Sequence, residues 1–598
     1  MKKTVITFLT AGLLFVTGLK AQTVQEGKNH LYADRFTSAI KVFENLLATN
    51  PNNIEATYWL GQTYLEMDEI AGARVATTRQ LYEKALQTSA NAPLLLVGMG
   101  HVQLRENKIA DARQSFETAL TMTRTKKGDD PAILAAVGRA NAESKTGDYN
   151  YAIEKLAAAA DKGEKSPDVF LQLGNAYRRA KPGEGGGDAF KSYKKALEID
   201  PAFAIADLRL AKLFESQKNW ELFLEYLNDA VKRDPKYTPA YYEMFYYYFF
   251  RAKFPEAEEQ LTKYSQSKLP ETDIQDEYLY AQLNWARKDF AGAIAKGETV
   301  VSKMGDLTKP KVYRLLADAY LQNGDYNNAK KYSDLFFLKK NPEDVILPDY
   351  ETKALILAKL GGSEEEVYNT YLAGAALDTT VDAKVEFVKK GATYFAGVKQ
   401  YIGQSKMLEK LIELKPKASI NDYFDLTLAY YRSGANFKSR DEALLMISKF
   451  PDQVYGYEWA FNNSVFVTTD TTKPAAYRDS LKLAIAGPDA LKMYDFSKTD
   501  TTKYKKQYLS SVRYLAPYYI NDIKDKEKSL EFFAKWLEAD PANSAAIQSY
   551  IDQIKKMQTK PGVAPKGNAP PAKPAPVKTT ATKTTTKTTA IKKTVAKK

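Results

Sequence analysis

The sequence predicts an all-α protein built as an α-solenoid, in which antiparallel helix pairs stack one on the next. A pattern of small, aromatic and proline residues recurs about every 34 residues, which is typical of helical repeats. The chain of 598 residues is also far too long for one compact hydrophobic core, so a repeat array or several domains are expected.

Residues 1–21 are predicted to be a signal peptide. Lys2 and Lys3 form a basic start, residues 5–16 are mostly apolar, and cleavage is expected before Gln22. The apolar stretch is shorter than the roughly 18 residues of a membrane-spanning helix, so no transmembrane segment is expected in the mature chain. The chain has no cysteine, which excludes disulfides, thiol catalysis and zinc–thiolate sites. We therefore expect an exported, periplasmic protein, and secretion beyond the outer membrane stays open.

The net charge of +13 belongs to the two ends of the chain. Residues 558–598 contain ten lysines and no acidic residue, and residues 1–21 contain three more lysines. The body of the protein, residues 22–557, is therefore electrically balanced. Together with export, this balance argues against nucleic acid as a partner.

The repeats are clearest in residues 22–342. One copy, at 171–201, contains Leu173, Gly174, Tyr177, Ala189, Tyr193, Ala196 and Pro201. A second copy, at 316–342, contains Leu316, Ala317, Tyr320, Gly324, Asp325, Tyr326, Ala329, Phe336 and Pro342. This pattern resembles the tetratricopeptide repeat (TPR) family. The small residues let two antiparallel helices approach closely, the aromatic residues fill the space between them, and proline ends the second helix.

We expect roughly a dozen helix pairs, ending in a polar capping helix at 543–557. The pattern is degenerate in 343–557, where hairpins are still predicted at 350–376, 383–415 and 420–450. Residues 465–505 depart most from the pattern, and longer loops or an irregular pair are expected there. Insertions are predicted at 69–76 and 181–187, the second as a flexible surface loop.

The stretch AYYEMFYYYFF at 240–250 is predicted to lie in the first helix of a repeat, residues 239–251. Tyr241, Met244, Phe245 and Tyr248 then face the partner helix. In TPR proteins, other positions of the first helices line a concave groove, and the resemblance implies the same for this chain. The residues at these positions in four consecutive repeats are Leu208, Lys212, Tyr242, Tyr246, Phe249, Tyr278, Trp285, Lys311 and Arg314.

Such a groove suits an extended peptide, because rings bury apolar side chains while Lys and Arg bind carboxylates or carbonyls. Two alternatives stay open. The rings could pack only against one another, or they could stack on the faces of sugars.

Catalysis is not expected, and no catalytic residue, cofactor or metal is predicted. The chain has only two histidines, His30 and His101, and neither lies near a nucleophile motif or a second metal ligand. His30 falls at an aromatic motif position, and His101 is expected to be partly exposed.

The tail, residues 558–598, is rich in Lys, Thr, Pro and Ala and is predicted to be disordered. It is either a solubilising extension or an electrostatic tether to peptidoglycan or another anionic surface.

The sequence as a whole predicts an exported, non-enzymatic TPR scaffold that binds a protein or peptide partner in a cell-envelope complex. The alternative is a glycan- or peptidoglycan-binding module that uses the aromatic groove and the basic tail. An enzyme with its chemistry hidden in 343–540 is a third and weaker hypothesis.

Overall fold

A computed structural model of the protein describes residues 22–67, 73–377 and 380–557. These residues form helices throughout and contain no β-strand, which confirms the predicted all-α stack of paired helices. The predicted signal peptide and the predicted disordered tail lie outside the described residues.

The described residues divide into two compact units, the first ending at Phe387 and the second beginning at Val388, with the boundary inside helix α21. The helices that begin in the first unit are α1 Val24–Tyr32, α2 Phe36–Thr49, α3 Ile54–Glu66, α4 Ala73–Thr88, α5 Pro93–Arg105, α6 Ile109–Thr123, α7 Pro131–Glu143, α8 Tyr149–Asp161, α9 Pro167–Ala180, α10 Gly186–Ile199, α11 Ala204–Ser216, α12 Trp220–Arg233, α13 Thr238–Phe249, α14 Phe254–Ser267, α15 Glu277–Ala286, α16 Phe290–Met304, α17 Pro310–Gln322, α18 Tyr326–Lys339, α19 Leu347–Lys359, α20 Glu364–Ala375 and α21 Val381–Gly397. Those of the second unit are α22 Tyr401–Leu414, α23 Ile420–Arg432, α24 Asn436–Lys449, α25 Val454–Thr468, α26 Ala475–Leu481, α27 Gly487–Ser497, α28 Lys505–Tyr518, α29 Lys526–Ala539 and α30 Ser544–Lys556.

Within a pair, a small residue of the first helix faces an aromatic ring of the second. A Cβ atom built on Gly100 would lie 2.3 Å from the ring of Phe116, and one built on Gly174 would lie 2.4 Å from the ring of Tyr193. Real side chains do not approach so closely, so only glycine allows these helix pairs to reach their observed separation. The predicted role of the small and aromatic positions is confirmed here.

The turn inside many of the helix pairs contains one residue in the left-handed backbone conformation. These residues are Asp34, Asn107, Lys218, Ala252, Lys288, Gly324, Gly361, Lys399, Gly434 and Lys524. In the turn between α17 and α18, Gly324 has φ 85° and the carboxylate of Asp325 accepts a hydrogen bond from the backbone N–H of Asn328. Glycine adopts this conformation without steric cost, and aspartate satisfies a free N–H group at the start of the next helix.

The turn between α1 and α2 is held against later repeats of the first unit. The Tyr32 hydroxyl donates to a carboxylate oxygen of Asp168 over 2.6 Å, and Arg139 donates to the same oxygen over 2.7 Å. Arg35 donates to the backbone carbonyl of Lys236 over 2.7 Å. Because Arg139 is buried, these charge-assisted hydrogen bonds fix the position of the first helix pair.

Three details differ from the sequence prediction or refine it. The predicted loop at 181–187 is shorter, because α10 already begins at Gly186. The residues from 465 to 505 contain the short helix α26, a π-helix over Lys482–Ala486 and α27, which is an irregular arrangement of the expected kind. Of the insertion expected at 69–76, residues 69–72 lie outside the described residues, and α4 already begins at Ala73.

No helix among the described residues is long and apolar enough to span a lipid bilayer.

The expectation that His101 is partly exposed is wrong. His101 is 2% exposed, and its Nδ1 atom lies 2.8 Å from the amide oxygen of Gln62. Because that oxygen can only accept, the neutral imidazole carries its proton on Nδ1. The amide nitrogen of Gln62 donates to the hydroxyl of Tyr82, which donates to the carbonyl of Tyr58. His101 is therefore part of a buried hydrogen-bond chain. His30 is half-buried and accepts a hydrogen bond from Arg35.

Burial lowers the pKa of His101 to about 3, so the folded state keeps it neutral while the unfolded state protonates it near pH 6.5. Its contribution to stability is present above that pH and is lost as the pH falls. From pH 8 to pH 5 this one residue should lower the free energy of unfolding by about 2 kcal/mol. Urea unfolding at both pH values measures the free energy of unfolding of the wild type and of His101→Gln. Its decrease from pH 8 to pH 5 should be smaller in the variant by that amount. Equal losses would contradict the assignment.

Candidate functional site

Five of the nine predicted groove residues line one cavity, named here cavity A, of about 310 Å³. Its walls come from the first helices α13, α15, α17 and α19 and from the second helix α18. The residues that define cavity A are Phe249, Tyr278, Trp285, Lys311, Arg314, Phe336, Phe337, Ile346 and Pro348.

Helical periodicity brings these side chains together. Tyr278 and Trp285 are seven residues apart on α15, so they lie on one face of the helix, two turns apart. Lys311 lies over the ring of Tyr278, with its Nζ atom 4.6 Å from the ring centroid. Tyr278 is buried, whereas Trp285 is 41% exposed at the edge of the cavity. Burial raises the pKa of Tyr278 to about 12, so its hydroxyl is neutral at any physiological pH.

The charged groups of cavity A are largely bonded to one another. Arg314 donates to a carboxylate oxygen of Asp349 over 2.9 Å and also to the backbone carbonyl of Asp344. The indole N–H of Trp285 donates to Asp318 over 2.5 Å. This geometry therefore does not favour the expectation that Arg314 binds a carboxylate of the ligand. The space inside the cavity is bounded mainly by rings and aliphatic groups, and it suits an apolar side chain.

Three further predicted residues, Lys212, Tyr242 and Tyr246, line a second cavity, cavity B, of about 740 Å³. The other residues that define it are Glu215, Trp220, Phe223, Glu243, Tyr247, Phe250 and Arg251. The Nζ atom of Lys212 lies 2.5 Å from Glu243, so this cation also has an internal partner. The Tyr242 and Tyr246 rings are 4.9 Å apart at their centroids. These two rings therefore pack against each other, as in the alternative raised above, and they also line cavity B.

Leu208 lines neither of these two cavities. It is 8% exposed and lies in the hydrophobic core formed by the neighbouring repeats. Its position therefore offers little surface to a ligand.

Cavity A adjoins a third cavity, cavity C, of about 820 Å³. The two share the side chains of Lys311, Arg314 and Phe336. The opposite wall of cavity C comes from the start of the chain, including Phe36 and Glu66. Its lining carries charges of both signs: Glu66, Arg74, Asp273, Asp306, Lys309, Lys311, Arg314 and Asp344. An apolar cavity beside a larger one with charged side chains in its lining suits an extended ligand.

Sequence reasoning missed Asp318, Asp349 and Phe336 as parts of the site. Asp318 follows Lys311 by seven residues, the same spacing that separates Tyr278 from Trp285, so this signal was present in the sequence. The position of Asp349 depends on how α19 packs against α17, which the sequence pattern does not give.

In the described parts of the chain, no group of three or more His, Cys, Asp or Glu side chains is placed to hold a metal ion.

Comparison with known families identifies three segments. Models of the tetratricopeptide repeat match residues 30–79, 187–238 and 310–334. The chain carries tetratricopeptide repeats. The TPR matched at 310–334 supplies α17 and most of α18, so one wall of cavity A is itself a TPR.

Comparison with solved structures found several matches. The C-terminal part of a TPR-containing protein from Cytophaga hutchinsonii is 22% identical, with 45% of this chain and 98% of that chain covered and a TM-score of 0.25. A TPR protein from Parabacteroides merdae is 19% identical, with 40% and 91% covered and a TM-score of 0.32. Yeast Tom70 is 14% identical, with 75% and 96% covered and a TM-score of 0.29. Comparison with curated proteins found no match.

The ion pair of Arg314 with Asp349 should be structural. The carboxylate of Asp349 has a side-chain exposure of 4%, so Arg314→Ala leaves a buried charge without its main partner. We expect the variant to lose about 2 kcal/mol of stability in urea unfolding. Lys311→Ala, the control on the same helix face, removes an exposed side chain that lies over the Tyr278 ring and should lower stability by no more than about 1 kcal/mol. Equal losses in the two variants would contradict the distinction.

Proposed function

We propose that this protein is a non-enzymatic TPR scaffold that binds an extended segment of a protein partner. Cavity A receives a bulky apolar side chain of that segment. The observation that carries the proposal is the convergence of Phe249 on α13 with Tyr278 and Trp285 on α15, the first helices of two successive repeats, on one apolar cavity. Aromatic side chains give large contact area with little loss of conformational entropy, which is why they dominate binding energies at interfaces.

The neighbourhood of cavity A favours a peptide as the ligand. The polar lining of cavity C begins where cavity A ends, at Lys311 and Arg314. A peptide backbone that runs along cavity C would contact both acidic and basic side chains, while one of the peptide's side chains fills cavity A.

A glycan is supported less well by the same geometry. Sugar recognition combines stacking on rings with hydrogen bonds to many hydroxyl groups. In cavity A the indole N–H of Trp285 is bonded to Asp318, and Arg314 is bonded to Asp349. The polar groups beside the rings are therefore largely occupied, and a site of this kind favours apolar side chains.

We place the scaffold in the cell envelope, as an adaptor or assembly subunit in the periplasm. The basic and apolar start of residues 1–21 and the absence of cysteine support this placement. The ten lysines of residues 558–598 support an additional electrostatic contact with peptidoglycan or another anionic surface.

Panning a random peptide library on the full chain should enrich peptides that contain a bulky apolar residue. Trp285→Ala should raise the dissociation constant of an enriched peptide at least about tenfold, because a well-placed aromatic side chain contributes 2 kcal/mol or more at an interface. Fluorescence anisotropy with labelled peptide measures the change.

Tyr550→Ala is the matched control, since Tyr550 is a half-exposed ring on α30, remote in sequence from cavity A. It should leave the affinity unchanged. Peptide binding that survives both Trp285→Ala and Phe249→Ala would contradict the proposed site. Retention on purified sacculi that depends on Trp285 would instead favour the glycan module.

A further inference from the structure

The second unit exposes a row of aromatic rings, named here the aromatic strip. Its residues are Phe424 and Tyr431 on α23 and Tyr455, Trp459 and Phe466 on α25. The rings alternate between the two helices in the order Tyr455, Phe424, Trp459, Tyr431, Phe466, and consecutive ring centroids are 5.7, 6.1, 5.3 and 6.0 Å apart.

Core packing does not account for the strip. Tyr431, Tyr455 and Phe466 are 37%, 46% and 49% exposed. The buried faces of the same helices are formed by other residues, such as Leu426 on α23 and Phe461 on α25. Phe424 and Trp459, between them, are half-buried. A contiguous row of exposed and half-buried rings is uncommon on a surface that binds nothing, and it marks a contact site.

The dimensions of the strip match a polyproline II segment. From Tyr455 to Phe466 there are eleven residue steps of α25, or about 16 Å at 1.5 Å per residue. Five residues of polyproline II, at about 3.1 Å each, cover the same length. Proline rings pack well on aromatic faces, and such a segment loses little conformational entropy when it binds.

We propose that the aromatic strip is the docking site for the chain's own proline-rich segment, residues 570–576. That segment reads PPAKPAP and contains a P-x-x-P element, Pro571 to Pro574. No other stretch of the chain has four prolines in seven residues. With this segment docked, the lysines from Lys578 to Lys598 would stay available for an anionic surface. The basic end of the chain would then extend from a fixed point on the second unit.

The proline-rich segment can reach the strip. Helix α30 ends at Lys556, and α25, α27, α28, α29 and α30 pack in succession within the second unit. Four helix-to-helix steps of 8–10 Å amount to at most about 40 Å. The fourteen residues that lead from Lys556 to Pro570 span about 43 Å when extended at about 3.1 Å each.

Because the chain has no cysteine, crosslinking between two introduced cysteines tests the proposal directly. In the full chain, Asn462→Cys places a thiol on the exposed face of α25 between Trp459 and Phe466, and Val577→Cys places one beside the proline-rich segment. The reference protein pairs Val577→Cys with Gln548→Cys, an exposed site on α30 close to the start of the tail. Glutathione disulfide serves as the oxidant.

An undocked tail would react faster with position 548, which is nearer to its point of attachment. Docking should reverse this order and make the intramolecular disulfide with position 462 form at least about tenfold faster than with position 548. Pro571→Ser with Pro574→Ser should abolish the advantage, and so should Tyr455→Ser with Phe466→Ser, which replaces only exposed rings. Equal rates, faster reaction with position 548, or an advantage of position 462 that survives both double substitutions would overturn the proposal. Disulfides that form only between chains would overturn it in favour of a second copy as the occupant.

Discussion

The structure depends on close contact between a residue with almost no side chain on one helix and a ring on its partner. Gly100 against Phe116 and Gly174 against Tyr193 show the contact in its tightest form, since even a methyl group would overlap the ring. Such contacts set the distance between paired helices, and the repeat of the contact sets the stacking of one pair on the next. In each pair the second helix fixes the position of the first helix. Equivalent faces of the first helices of successive repeats therefore lie side by side.

Cavity A is a consequence of that alignment. It combines side chains of α13, α15, α17, α18 and α19, and no single repeat forms it alone. The ion pair of Arg314 with Asp349 and the hydrogen bond of Trp285 to Asp318 hold the walls without filling the space between them. A site of this kind can change its specificity by exchange of single residues while the helix pairs stay intact.

Much of the fold was predictable because the repeat period and the small and aromatic positions act within one helix pair. The groove was predictable in part for the same reason, since seven-residue spacing on one helix places Tyr278 and Trp285 on one face. Leu208, in contrast, lies one repeat of 34 residues before Tyr242 and is nevertheless buried, because its burial depends on the neighbouring repeats. The burial of His101 likewise depends on Gln62, which lies 39 residues away in sequence.

The aromatic strip shows a different limit. Its residues lie where the repeat pattern is degenerate, so the register that identified the groove in the first unit was missing. Phe424 with Tyr431 and Trp459 with Phe466 still keep the seven-residue spacing, which was visible in the sequence. Only the pairing of α23 with α25 joins the two sets into one row.

The most direct test of the account is to ask what touches cavity A in the living cell. A photoreactive benzoylphenylalanine at Thr352, on the wall of cavity A, should crosslink to a protein when the full chain is expressed in its native organism. The crosslink should disappear in the Trp285→Ala background and should not form from position 548 on α30. Crosslinks that are the same from both positions, or that persist without Trp285, would contradict the claim that cavity A binds a protein partner.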